Sequence, residues 1–289
     1  MPVYNAERYL EEALVSILSQ SFEDFELIIS DNASTDGTEE ICRSYAAKDE
    51  RIRYVRNRAN FGVVHNLVQV FRLSSGQLFK WAAADDICGQ DYLLRAVEAL
   101  DADPSVVLAW ARTAHINENG EPMELGYELN DLNSPISAYS PDPVVRWRRL
   151  MRNIWWVDGP FYGVVRSDVL AQVPLLKDSI LCDHFLVADL ILRGRFFQSP
   201  EALFFNRVHS GKTSRAKTRR ERAVLFEMDP AKKQRFQRLK VVKLYVERPL
   251  TCLASIRTAP ISQSQKVQCA AEVIRAGMRW LRRPGQGGY

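Results

Sequence analysis

Along the first 110 residues the apolar positions change period again and again, and each change marks an element. Leu10, Ala13, Leu14, Ile17 and Leu18 recur at the spacing of one buried helical face, and Asn5 stands before them as a candidate N-cap. The run Phe25 to Ile29 reads as a buried strand. It ends in Ser30-Asp31-Asn32-Ala33-Ser34-Thr35-Asp36-Gly37-Thr38, a polar turn-forming loop that opens a helix carrying Ile41 and Tyr45. The unit then repeats. Ile52 to Val55 is a strand, Asn57 to Gly62 its loop, and Val63, Leu67, Val70 and Phe71 mark a helix. Leu78 to Ala83 is a strand ending at Ala84-Asp85-Asp86, Tyr92 to Leu100 a helix, and Val106 to Trp110 a further strand. Strands alternating with helices at this spacing predict an α/β fold, a mostly parallel sheet with helices on both faces.

In such sheets a ligand sits beyond the carboxyl ends of the strands. The residues leaving them here are Asp31, the Asn57–Gly62 segment and Asp85-Asp86. The chain has no G-x-G-x-x-G and no G-x-x-x-x-G-K-[ST], so backbone cradles for phosphate are not expected. Carboxylates stand where glycines would be. An anionic ligand then needs a cation between, and a hard divalent ion held by the Asp85-Asp86 pair and the ligand's phosphates supplies it. The competing reading of that pair is a cap for a helix beginning near Gly89.

Pro2-Val3-Tyr4-Asn5-Ala6, the Ser30–Thr38 loop, Asn60-Phe61-Gly62 and Ala84-Asp85-Asp86 occur in that order. Each is weak alone. Together they resemble the nucleotide-sugar half of family 2 of the inverting glycosyltransferases, which adopt the GT-A fold. The resemblance covers roughly the first 110 residues; Gly163-Val164-Val165-Arg166, Cys182-Asp183-His184 and Arg207-Val208-His209 are looser matches beyond them. It implies that Pro2 and Tyr4 line a nucleobase pocket, that Asp31 accepts a hydrogen bond from the base, and that Asn60 belongs to the donor site. It further implies that Asp85 contacts the ribose or metal-bound water and that Asp86 binds Mn²⁺ or Mg²⁺. Asp183 matches the catalytic base, although an Asp opening an apolar helix is also a favoured N-cap. His209 matches a histidine that completes the metal shell in related enzymes, while Lys212 and Arg215 offer point charges to a diphosphate. Relative to the family pattern, the apolar run before Pro-x-Tyr-Asn is cut short at Met1, so most of the first strand is expected to be missing and the start codon to be misassigned.

Charge adds a second feature. The net charge of +4 divides into −10 over residues 1–211 and +14 over residues 212–289. With the resemblance, this implies a GT-A-like body over 1–211, with its nucleotide-sugar half over about 1–110 and its acceptor half over about 111–211, and a basic, mainly helical extension over 212–289 that either meets an anionic membrane surface or forms a solvated face packed on the body. Between them, Tyr127–Trp156 carries Pro135, Pro141, Pro143, Arg146, Trp147 and Trp155. It reads either as a cover over the acceptor site with aromatic faces for sugar rings, or as a surface helix with half-buried tryptophans. The composition, 46% hydrophobic and 26% charged, is that of a globular enzyme. Five scattered cysteines with no C-x-x-C, no apolar run long enough to span a bilayer and no leader pattern point to the cytoplasm, with a peripheral place at the inner membrane face. The reading that results is a metal-dependent transferase moving sugar from a nucleotide-diphosphate sugar to a glycan or lipid-linked acceptor. The alternatives are a sugar-phosphate nucleotidyltransferase, whose glycine-rich basic first loop is absent, and a non-enzymatic basic scaffold or nucleic-acid-binding protein, for which no reading motif is visible, so no nucleic-acid partner is expected.

Overall fold

The computed structural model describes residues 1–123, 139–153, 158–176, 182–210 and 249–282. Its amino-terminal part is a parallel three-stranded sheet, β1 (Pro2–Val3), β2 (Leu27–Asp31) and β3 (Ile52–Arg56), in the order β1-β2-β3. Helices α1 (Glu7–Leu18), α2 (Thr38–Ala46) and α3 (Val63–Leu73) connect and flank it. The apolar stripe expected of α1 is there, since Leu10, Ala13, Leu14 and Ile17 are all buried. Short as β1 is, its backbone is fully engaged with β2. The Met1 nitrogen donates to the Ile28 carbonyl at 2.6 Å, and Ser30 and Asn32 donate to the carbonyls of Met1 and Val3 at 2.9 Å each.

A second sheet follows the order β4-β8-β6-β9-β5, with β7 on the side of β6. Its strands are β4 (Leu78–Lys80), β5 (Ile87–Cys88), β6 (Val106–Ile116), β7 (Pro122–Met123), β8 (Val164–Arg166) and β9 (Arg195–Arg207). The long pair β6 and β9 runs parallel, and the other pairings are antiparallel. The strand and helix alternation of the first 110 residues announced the parallel part. It carried no sign of the mixed part, because β8 and β9 arrive from far along the chain. Gly194, in the turn before β9, lets that turn press on β6: a Cβ there would lie 2.2 Å from Val107 Cγ1.

Helices α4 (Tyr92–Ala102), α5 (Pro143–Asn153), α6 (Asp158–Phe161), α7 (Ser167–Ala171) and α8 (Cys182–Ile191) complete the body. Residues 249–258 form α9 and Gln263–Arg282 form α10. The largest core cluster joins Leu67, Trp81, Leu108, Trp147, Leu186 and Phe196 to Cys252, Ile256, Cys269, Val273 and Ala276. The charge change at residue 211 is therefore not a fold boundary for 249–282, which completes the core of the body. The expected extension is corrected to that extent, and residues 211–248 lie outside the described ones.

Trp147, in the segment read in two ways, takes neither expected place. It is fully buried, its indole N–H donates to the Cys269 carbonyl at 3.0 Å, and beside it Arg148 pairs with Glu272 at 2.8 Å. Its ring docks α10 and has no open face for a sugar. The other tryptophans of that segment, Trp155 and Trp156, and residues 124–138 lie outside the described residues.

Candidate active site

The three parallel strands end at one level, with Val3 beside Asp31 and Asp31 beside Arg56. The three loops that leave them are cross-linked by side chains. In the first link, the Asn5 amide oxygen accepts from the Thr35 N–H at 2.8 Å and the Asn5 N–H donates to Ser34 Oγ at 3.0 Å. The Ala6 N–H donates to Thr38 Oγ1 at 2.8 Å, the Glu7 N–H to Asp36 at 3.2 Å, and Glu7 accepts from the Gly37 N–H at 2.6 Å. Asn5 is thus not the N-cap of α1. That position falls to Ala6, and the free N–H groups at the start of α1 are met by side chains of the 34–38 loop.

Asp31 is fully buried, and its two oxygens accept four hydrogen bonds: Ser34 N–H at 2.8 Å, Ser34 Oγ at 2.6 Å, Tyr54 Oη at 2.8 Å and Arg56 Nη1 at 2.6 Å. Four is the capacity of a carboxylate. Burial alone would raise its pKa, but the Ser34, Tyr54 and Arg56 donors outweigh burial and hold it below the usual carboxylate range. Asp31, expected to contact the nucleobase, is in this structure occupied by donors from its own loop and from β3. Its geometry makes it the anchor of the 31–38 loop. A buried amide network braces the next loop. Asn32 donates to Asn60 and to the Gly62 carbonyl and accepts from the Phe61 N–H, Asn57 donates to Asn32, and Asn66 donates to the Ser30 carbonyl at 2.8 Å. Asn60 is part of that brace. The turn closes at Gly62, whose φ of 92° suits glycine as α3 begins. Pro2 is half-buried in β1, and Tyr4 is 49% exposed where the chain leaves it.

Asp85 and Asp86 separate sharply. Asp86 is 4% exposed and accepts from the Arg207 N–H at 2.9 Å and the Asn206 amide at 3.4 Å, which ties it to the backbone of β9. The Asp85 carboxylate is partly exposed and lies 3.0 Å from His209 Nε2. Asp86, expected as the metal ligand, is thus held against β9. The carboxylate and imidazole that lie together are those of Asp85 and His209, one hard oxygen and one nitrogen donor. The capping reading fails as well, because Ile87–Cys88 is a strand and α4 starts only at Tyr92. Among the described residues, no cluster of three or more His, Cys, Asp or Glu side chains could hold a metal. An ion at this pair would be completed by phosphate oxygens and water, the coordination that Mg²⁺ ordinarily takes.

Beneath the pair lies Arg207, fully buried. Its Nε donates to the Asp85 carbonyl at 3.0 Å, Nη1 to the Glu118 carbonyl at 3.2 Å and Nη2 to Glu12 at 2.6 Å, and its guanidinium lies 4.7 Å from the centre of the Tyr9 ring. The Tyr9 ring also meets His209, centroid to centroid 4.7 Å. Arginine offers donors in a fixed fork, which is what holds α1, the Asp85 backbone and the β6–β7 turn together. Glu12 and Arg56 escaped the sequence reading because they sit on the polar sides of ordinary periodic elements, and Tyr9 and Tyr54 because a buried or half-buried tyrosine reads as ordinary core packing. A charged Arg207 closing the apolar run Leu203–Asn206 was the one available signal.

Asp183 lies in the first turn of α8, where it accepts from the His184 N–H at 2.8 Å and faces His184 Nδ1 at 2.7 Å. Burial would raise its pKa, but the charge and hydrogen bonds of His184 outweigh burial and hold it low, so it is ionised near neutrality. Helix α8 packs on α6, whose Phe161 stacks flat on Trp81 at 5.1 Å, four residues before Asp85. Lys212 and Arg215 lie outside the described residues.

Comparisons with known proteins place the sequence and the fold. The putative glycosyltransferase EpsE of Bacillus subtilis is 40% identical over 88 residues, 30% of this chain and 32% of that protein. An uncharacterized glycosyltransferase of Haemophilus influenzae is 27% identical over 222 residues, 73% of this chain and 65% of its own length. This chain thus spans a third to about two thirds of these relatives. Staphylococcus aureus TarS 1–349 has the same fold, with a TM-score of 0.67 over 97% of this chain and 71% of that one at 17% identity. The Pyrobaculum calidifontis mannosyltransferase PcManGT superposes with a TM-score of 0.56 at 19% identity, over 98% of this chain and 79% of that one. The family described as glycosyl transferase family 2 matches residues 1–152, more than half of the length and all three loops of the parallel sheet, and the chain belongs to that family.

Proposed function

We propose that this chain is an inverting glycosyltransferase that moves a sugar from a nucleotide-diphosphate sugar to a glycan or lipid-linked acceptor. The observation that carries the reading is the Asp85–His209 pair, set beside α1 where the cross-linked loops of the parallel sheet open. It is supported by solved proteins of the same fold, TarS in complex with UDP-GlcNAc and PcManGT in complex with GDP-Man and Mn²⁺. A relative in Bacillus subtilis, 30% identical over 43% of this chain, is named a putative teichuronic acid biosynthesis glycosyltransferase, in keeping with a cell-surface polymer as acceptor.

In this reading Pro2 and Tyr4 border the nucleoside, and Asp85 and His209 hold Mn²⁺ or Mg²⁺ against the diphosphate. The ion offsets negative charge on the leaving group. Asn60 and Asp31 act one step back, by fixing the loops on which the donor rests. Asp183, ionised near neutral pH, takes the acceptor hydroxyl's proton as its oxygen attacks the anomeric carbon from the face opposite the leaving group.

Calorimetric titration of UDP and GDP with and without Mn²⁺ tests the site. Asp85→Ala should weaken the metal-dependent part of binding by at least about tenfold. Asp86→Ala should instead lower stability by about 1–3 kcal/mol, because it strips the acceptor from the buried Arg207 N–H. Metal-dependent binding that survives Asp85→Ala unchanged would overturn the assignment.

A further inference from the structure

Helices α9 and α10 carry apolar residues beyond those that face the core. Cys252, Ile256, Cys269, Val273 and Ala276 face the core. On the outer side Leu250 is 60%, Leu253 40%, Val267 70% and Ile274 63% exposed. Four of the nine exposed large hydrophobic residues in the described structure thus fall within 34 residues, a concentration that solvation alone does not favour. Val267 and Ile274 are two turns apart, on one stripe of α10. At 100° per residue, Lys266 and Arg275 flank that stripe on either side, and Arg257 lies beside Leu250 on α9. Lys266 Nζ donates to the Arg257 carbonyl at 2.8 Å, which ties the two helices into a hairpin. Glu272, the one acidic residue of 249–282, is 4% exposed, and its buried carboxylate pairs with Arg148 at 2.8 Å and with Arg275 at 2.7 Å, whose side chain stays 58% exposed. The exposed groups of the outer face are therefore apolar and cationic, and their one carboxylate lies beneath them.

We propose that this face is a membrane-docking surface for an anionic phospholipid bilayer. Leu250, Leu253, Val267 and Ile274 enter the boundary between headgroups and acyl chains, and Arg257, Lys266 and Arg275 meet lipid phosphates. A second copy of the chain is the poorer occupant, since pairing this face with itself sets cation against cation. Residues 249–282 carry five Lys and Arg against the one Glu272, the sign that an anionic surface attracts. The inference stands apart from the reading of the active site and is tested without an activity assay.

The test is sedimentation of the full chain with vesicles of phosphatidylglycerol or of phosphatidylcholine alone, at low salt. Binding is expected to phosphatidylglycerol only. The double variant Val267→Asn with Ile274→Asn should lose at least about tenfold in partition while keeping its thermal midpoint and its nucleotide binding. Lys266→Gln with Arg275→Gln should weaken binding and flatten its salt dependence. Failure to bind phosphatidylglycerol, equal binding to both vesicle types, or undiminished binding by the apolar double variant would each overturn the proposal. So would a lipid-free dimer that the apolar double variant dissociates.

Discussion

Two adjacent carboxylates, Asp85 and Asp86, meet opposite fates. Asp85 sits in a bend and Asp86 follows it just before β5. One carboxylate turns into β9 to meet the Arg207 N–H, and the other comes out to His209. From the sequence the pair was legible as a site at the exit of a strand, but the division of labour was not, because the strand against which Asp86 is buried comes about 120 residues later. Asp31 is similar: its motif was recognisable, yet Tyr54 and Arg56, which donate to its carboxylate, are set by strand register. Asp183 permits a sharper test. Asn at this position keeps an oxygen that can accept from the His184 N–H, so a purely structural role leaves both stability and turnover nearly unchanged. A general base requires the proton-accepting charge. Asp183→Asn is expected to bind nucleotide and metal normally, to keep its thermal midpoint, and to lose roughly 10²-fold or more in turnover with any accepted sugar donor. Turnover at the unaltered rate would return Asp183 to a structural part.

Elements of the amino-terminal half were legible because each one reports its own environment. A stripe at helical spacing needs only a sheet to cover it, and α1, α2 and α3 fall where the stripes predict. Helix α5 shows the limit of such reasoning. Its mixture of arginine and tryptophan suits a surface helix or a sugar-binding cover equally well, and what decides between them is α10, more than a hundred residues away. Trp147 is fully buried with its N–H on the Cys269 carbonyl, Arg146 spends its guanidinium on the carbonyls of Ile191, Ser140 and Pro141, and Arg148 meets Glu272. Burial pushes the Arg146 pKa down to about 10, which still leaves it charged at neutral pH. Trp147→Ala should therefore cost about 3–5 kcal/mol of stability, the range for emptying a large aromatic site in a core, with nucleotide affinity unchanged while the protein remains folded. Denaturant unfolding measures the first and calorimetry the second. A variant of normal stability with altered sugar binding would favour the exposed reading instead.

At the scale of the whole molecule, charge and core draw different boundaries. The step from −10 to +14 at residue 211 suggests a body and a detachable tail, because net charge reports only what faces solvent and partners. The core does not follow that step. Cys252, Ile256 and Ala259 of α9 and its following turn, with Cys269, Val273 and Ala276 of α10, lie in the same cluster as Trp81, Trp147 and Leu186. Removing the two helices would expose Trp147 and leave Arg148 without Glu272. Six buried apolar residues would be lost at once, Ile256 and Val273 each contributing about 1.5–3 kcal/mol and the smaller cysteines and alanines less, against a total stability of about 5–15 kcal/mol for a typical domain. A chain ending near residue 225 is thus expected to lose cooperative unfolding, and with it metal-dependent nucleotide binding, even though Asp85 and His209 are both retained. Far-ultraviolet and near-ultraviolet circular dichroism, read together during a thermal ramp, check the first expectation: secondary structure without a sharp near-ultraviolet transition is the signature of a body whose core has been opened. A shortened chain that unfolds in one cooperative step and still binds nucleotide would mean that α9 and α10 dock on a body complete without them.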